Sequence, residues 1–307
     1  MAISSQITRR GFLDKTLKIG TAGLLMTEFA SSRTEAAPDT PKSSAWQIGC
    51  YTRPWDKYEY RVALDAITEA GFKHAGLMTT NSETHLVISP STALEEAQKI
   101  GEEVKQRGLE VPSVYGGGIP VNESLKAGID ALRKLLDNCA AVQAKTLLMA
   151  GVTEPELYEP YYKAIAECCD YAAEKGIELT LKPHGGSNAT GSECCKAIKT
   201  VAHKNFTFWY DPGNIYYYSD GKLDPVNDST TLDVPVTGIC VKDYLDHKNV
   251  MVTPGTGKVN FPAVLAHLRE HGLTQGPLVI ETLSPGDLKE TLEQAKKARE
   301  FMEELVS

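Results

Sequence analysis

Ile177-Glu178-Leu179-Thr180-Leu181 runs into Lys182-Pro183-His184-Gly185-Gly186, and Phe206-Thr207-Phe208-Trp209-Tyr210 runs into Asp211-Pro212-Gly213-Asn214. Further along, Val236-Thr237-Gly238-Ile239-Cys240-Val241 ends in Lys242-Asp243, and Leu278-Val279-Ile280 ends in Glu281. Each is a short apolar run closed by polar residues that chemistry can use. Strands buried on both faces read as near-continuous apolar segments, and parallel barrels carry their sites where the strands end. The repeated pattern therefore names a fold and a place to look for chemistry.

Working outward, the same rhythm begins near Trp46. Strands are expected at residues 47–50, 73–78, 110–115, 145–150, 177–182, 206–211, 236–242 and 277–282. Amphipathic segments at 60–70, 93–107, 122–142, 156–175, 192–202, 262–271 and 287–306 read as helices between them. Gly71, Gly108, Gly176 and Gly272 follow helix ends, the usual signal for a chain turning back into a strand. Residues 215–233, after strand six, are too polar and turn-rich to read as a helix. Eight βα units in one run indicate a single (β/α)8 barrel over residues 46–307. An open doubly wound sheet would place a glycine-rich loop after the first strand. Cys50-Tyr51-Thr52-Arg53-Pro54-Trp55 has no glycine.

Thr8-Arg9-Arg10-Gly11-Phe12-Leu13, an apolar stretch to Ala30 and the small-residue site Thr34-Glu35-Ala36 resemble a twin-arginine export signal. Residues 1–36 are then a signal peptide and 37–45 a flexible leader, with a periplasmic destination. Cleavage would remove Arg9, Arg10, Lys15, Lys18 and Arg33 against Asp14, Glu28 and Glu35, leaving the remainder more acidic than the whole chain's −8. That charge opposes a nucleic-acid surface, which needs a basic face for phosphates. No apolar run reaches membrane-spanning length. The seven cysteines show no zinc spacing and read as buried thiols, with one disulfide permitted by the compartment.

In a barrel, Lys182, His184, Asp211, Lys242 and Glu281 converge on one mouth, joined by Arg53, Trp55 and Tyr115 from strands one and three. Two carboxylates, two lysines and a histidine suit proton movement beside a carbonyl. Lys182, His184, Asp211 and Glu281 are the catalytic candidates. Arg53, Trp55, Tyr115, Asn214, Tyr217 and Lys242 are the candidates for holding a small carbohydrate, Tyr217 as part of an aromatic floor of Tyr216, Tyr217, Tyr218 and Trp209.

From Trp46 to the C-terminus the chain resembles the xylose-isomerase-like TIM-barrel superfamily of sugar isomerases and epimerases. The likeness rests on the eight-unit rhythm, Asp211-Pro212-Gly213, Val241-Lys242-Asp243, Pro254-Gly255-Thr256-Gly257 with Val259-Asn260-Phe261, and Val279-Ile280-Glu281. It implies a divalent metal held by Glu, Asp, His and Glu at the ends of strands five to eight. Asp211 and Glu281 match. Lys182 stands in place of the strand-five glutamate, Cys240 in place of the strand-seven histidine, and Asn214 in place of a further histidine. An ammonium repels a nearby metal and can take its electrostatic place between carboxylates. Either the site works without a metal, the preferred reading, or a softer ion binds through Asp211, Glu281 and His184 or Cys240. The resemblance implies isomerisation or epimerisation through an enediolate, with a 3-keto-glycoside lyase or hydratase as the alternative. A non-catalytic carbohydrate-binding barrel is the third reading.

Overall fold

Side chains alternate between the two faces of a strand, so one residue in two along each apolar run points into the barrel. The computed structural model describes residues 46–307. Its strands are β1 (Trp46–Tyr51), β2 (His74–Gly76), β3 (Ser113–Tyr115), β4 (Thr146–Met149), β5 (Glu178–Leu181), β6 (Phe206–Tyr210), β7 (Val236–Val241) and β8 (Gly276–Ile280). All pair in parallel, in the order β2-β1-β8-β7-β6-β5-β4-β3. Isolated parallel bridges, His74 to Glu110 and Leu77 to Val114, draw β2 and β3 together and nearly close the ring. The expected segments 1–36 and 37–45 lie outside the described residues.

Tyr51, Met78, Leu148, Trp209, Cys240 and Val279 form one small buried cluster, with Tyr115 packed against it. They come from β1, β4, β6, β7 and β8 and from just past β2, and they fill the barrel interior. The larger core lies outside this ring, between outward-facing strand residues and the helices. Gly238 makes the inner layer possible: a Cβ there would stand 2.6 Å from Trp209 Cε2.

The helices are α1 (Tyr60–Glu69), α2 (Leu94–Gln106), α3 (Leu125–Ala141), α4 (Tyr158–Ala166), α5 (Cys169–Glu174), α6 (Gly191–Val201), α7 (Pro212–Tyr218), α8 (Pro225–Ser229), α9 (Phe261–Glu270) and α10 (Leu288–Leu305). Local chemistry sets their starts. Ser124 caps α3 by accepting from the Ala127 amide at 3.0 Å, and reciprocal capping boxes start α6 (Thr190 with Glu193) and α10 (Asp287 with Glu290).

Two expectations need correcting. The segment after strand six does form helices, α7 and α8, because each begins with an aspartate cap followed by proline: Asp211-Pro212 and Asp224-Pro225. Residues 156–175 form two helices rather than one, broken at Glu167 and Cys168. Nothing in the local composition marks that break. All seven cysteines are buried free thiols.

Asp243 explains why Val-Lys-Asp and Pro-Gly-Thr-Gly occur in one chain. Its buried carboxylate accepts from the amides of Tyr244 (2.8 Å), Gly255 (3.0 Å), Gly257 (2.8 Å) and Val259 (3.1 Å). It fixes the loop after β7 to the end of its strand. Asp243→Ala strands these donors and should lower unfolding free energy by roughly 3 kcal/mol, read by urea denaturation. A loss below roughly 0.5 kcal/mol would contradict this anchoring role.

Candidate active site

The two-residue strand repeat sets the mouth directly above the inner layer. Lys182 follows Thr180 on β5, Asp211 follows Trp209 on β6, Lys242 follows Cys240 on β7 and Glu281 follows Val279 on β8, each two residues on. The lower members are all buried, so the upper ones point into the same central space.

They meet there as one charge network. Lys182 Nζ lies 3.2 Å from Asp211 Oδ2, also donates to Glu281 Oε2, and sits 3.6 Å from Cys240 Sγ. Lys242 Nζ bridges the same carboxylates, at 3.2 Å from Asp211 Oδ2 and 2.7 Å from Glu281 Oε1, and donates to Asn214 Oδ1 at 3.0 Å. Arg53, in the 3₁₀ turn after β1, pairs with Glu281 Oε1. The remaining oxygen, Asp211 Oδ1, caps α7 by accepting from the Asn214 amide at 3.0 Å. Gly213 lets this helix start lie against Lys242, since a Cβ there would meet Lys242 Cγ at 2.6 Å.

Lys182, Asp211, Lys242 and Glu281 are at most 2% exposed, whereas the Arg53 side chain is 31% exposed. Around the network, Arg53, Tyr115 and His184 are only partly buried. Burial opposes ionisation of Glu281, but Lys182, Lys242 and Arg53 outweigh it and hold the carboxyl well below the usual carboxylate range. Burial likewise opposes the charge on Lys182, and the Glu281 and Asp211 carboxylates overcome it, so the ammonium persists well above the ordinary lysine value. Burial and the Glu281 carboxylate keep Cys240 a protonated thiol. Three cations thus face two carboxylates, and one positive charge is left over.

His184 stands apart from the ion pairs. Its ring packs against Tyr218, with centroids 5.5 Å apart. Burial first, then Lys182 and Lys242, lower its pKa to about 3, so it is a neutral imidazole at neutral pH.

The other expected residues divide. Tyr115 is at the mouth, its ring 5.9 Å from Lys182 Nζ. Asn214 is there too, but its amide is spent on Lys242 and on Pro183 O, to which it donates at 2.7 Å. Trp55 is buried in the outer core, with no hydrogen-bond partner for Nε1. Tyr217 is not gathered into the network: Lys248 Nζ sits over its ring at 5.4 Å. Within the expected aromatic floor it is Tyr218, not Tyr217, whose ring lies against His184. One residue at the site escaped the sequence reading: Asn188 donates to Ala150 O (2.8 Å) and Lys182 O (3.1 Å), tying the ends of β4 and β5 together.

Asp211, Cys240 and Glu281 are the one group of residues, among those described, whose ligand atoms could surround a metal. Those atoms lie within 4.8 Å of one another. His184 is not in that group. The residues do not fit a divalent ion, because every oxygen of the two carboxylates already accepts from an ammonium, a guanidinium or a capping amide.

Residues 64–305 match the family described as xylose isomerase-like TIM barrel. Inosose dehydratases of Salmonella agona (strain SL483) and Salmonella typhimurium (strain LT2) are each 21% identical over 249 residues, covering 69% of this chain and 81% of those proteins. Among solved structures, D-psicose 3-epimerase has a TM-score of 0.68 at 15% identity, covering 85% of this chain and 99% of that one. A xylose isomerase domain protein from Planctomyces limnophilus has 0.65 at 19%, covering 85% and 97%. L-ribulose 3-epimerase has 0.65 at 14%, covering 85% and 94%. The family match spans most of the barrel, strands five to eight and their polar ends included, and the chain belongs to the xylose isomerase-like TIM-barrel family.

Proposed function

We propose that the protein is an enzyme acting on a sugar or keto-sugar by moving a proton next to a carbonyl, without a metal. The observation that carries this reading is the single uncompensated positive charge beside a neutral imidazole. Such a site stabilises an oxyanion and can accept a proton.

In the proposed step, His184 takes the proton from the carbon beside the carbonyl. The C–H electron pair moves to the oxygen, giving an enolate that faces the surplus charge supplied by Arg53, Lys182 and Lys242. Those same cations hold the His184 pKa down in the free protein. The developing oxyanion offsets them, so His184 becomes a better base as the transition state forms.

Asp211 and Glu281 are both locked in ion pairs. One free proton-transfer group favours chemistry that needs one. In isomerisation, His184 returns the proton to the former carbonyl carbon while the hydroxyl proton of the adjoining carbon passes to the former carbonyl oxygen, so the carbonyl moves by one carbon. In the second reading, the enolate expels a hydroxyl from the next carbon as water, with the proton returned by His184. The inosose dehydratase relatives favour this elimination on a cyclic keto-polyol; on a 3-keto-glycoside the same enolate would expel the glycosidic oxygen as an alcohol, which takes the proton from His184. The twin-arginine-like N-terminus supports a periplasmic site of action, which removes phosphorylated sugars from the main candidates.

Incubation with ketoses, inososes and 3-keto-glycosides in D₂O, followed by NMR, should show exchange of the hydrogen beside the carbonyl. Accompanying loss of water identifies elimination. His184→Asn should slow exchange by roughly 10²–10⁴-fold, with KM little changed. Exchange with none of these substrates, or full exchange by the variant, would overturn the reading.

The His184 ring should keep its neutral NMR shifts across pH 5 to 8, while an ordinary histidine titrates about its usual 6.5. Its folded pKa lies below its unfolded one, so the unfolded chain binds the extra proton first. Stability should therefore decline as pH falls from about 6.5 towards about 3. Titration of this ring near 6.5 would contradict a buried, neutral His184 beside these cations. Fractionation of cells with and without a working twin-arginine translocase should find the protein in the periplasm only in the former.

A further inference from the structure

We infer that the Lys182 ammonium sits in the place of a divalent cation, so that the barrel contains a metal position masked by its own side chain. One nitrogen touches all three potential ligands: Asp211 Oδ2 at 3.2 Å, Cys240 Sγ at 3.6 Å and Glu281 Oε2 by a hydrogen bond. Those ligand atoms are clustered within 4.8 Å. A divalent ion bound by them would stand about 2.0–2.3 Å from each. It would then overlap the ammonium or lie against it, in a space from which water is nearly excluded.

Neighbouring residues hold the arrangement in place. Lys242 and Arg53 engage Glu281 Oε1, and the α7 cap engages Asp211 Oδ1, so neither carboxylate is free to turn away from Lys182. Adding two positive charges to a site with one already in surplus is opposed electrostatically. The protein thereby trades an exchangeable cation for a covalently tethered one. Its electrophile carries a single charge, is always present and answers to no metal concentration. This inference concerns the free protein and does not depend on which sugar is the substrate.

Metal content measured without substrate tests it separately from the reaction. Wild-type protein incubated with Mn²⁺, Co²⁺ or Zn²⁺ and then desalted should retain no stoichiometric metal, and millimolar EDTA should leave its melting temperature unchanged. Lys182→Glu removes the ammonium and adds a carboxylate. It should retain about one equivalent of metal, and its Co²⁺ form should show thiolate-to-cobalt absorption that Lys182→Glu/Cys240→Ser lacks. Lys182→Gln, which frees the position without adding a charged ligand, should bind more weakly than Lys182→Glu. Stoichiometric metal in the wild type would overturn the inference. So would a folded Lys182→Glu, judged by circular dichroism, that binds none. If that variant does not fold, the wild-type metal titration and Lys182→Gln decide.

Discussion

A lysine ammonium between two buried carboxylates fixes the charge and geometry of this barrel's mouth. Carboxylates this deeply buried are tolerable only when paired and hydrogen-bonded. Here the partners arrive from separated parts of the chain: Lys182 at the end of β5, Lys242 at the end of β7 and Arg53 after β1. The network therefore ties distant strand ends together at the point where the barrel opens. Such pairs are a weak source of net stability, but removing one member leaves the others buried and unmatched. That makes the arrangement rigid, and rigidity is what preorganised electrostatics require.

The surplus charge links this structural device to chemistry. A site with equal numbers of cations and anions would have little to offer a developing enolate. Three against two leaves a standing preference for negative charge, and burial together with that preference keeps His184 unprotonated and able to accept a proton. The family resemblance assigns the electrophilic role to a metal held by acidic and histidine ligands. In this chain a lysine stands at one of those positions and a thiol at another. In the proposed mechanism the charge keeps its sign and is reduced in size, and a tethered ammonium carries it in place of a metal.

Much of this was legible in the chain because barrel physics is periodic. Apolar runs bounded by polar residues gave all eight strands and the direction in which their ends point. Lys182, Asp211, Lys242 and Glu281 were readable because a charge directly after a buried run needs a partner. What escaped depended on phase and on contacts across the fold. Asp211-Pro212 and Asp224-Pro225 are turn sequences in isolation and helix starts in this setting. Without α7, nothing separates Tyr217 from Tyr218, and only the fold turns the second towards His184 and leaves the first to Lys248. Asn188 carries no motif; its role comes from lying where the carbonyls of Ala150 and Lys182 converge.

The proposed metal-free mouth turns on what one small volume contains in the working protein: a tethered nitrogen or a captured ion. A crystal structure from protein grown and crystallised with manganese and zinc, with anomalous maps at both edges, observes that volume directly. It should show no anomalous peak among Asp211, Cys240 and Glu281, with the Lys182 side chain continuous to Nζ between the two carboxylates. A strong peak there, with Lys182 displaced, would contradict the account.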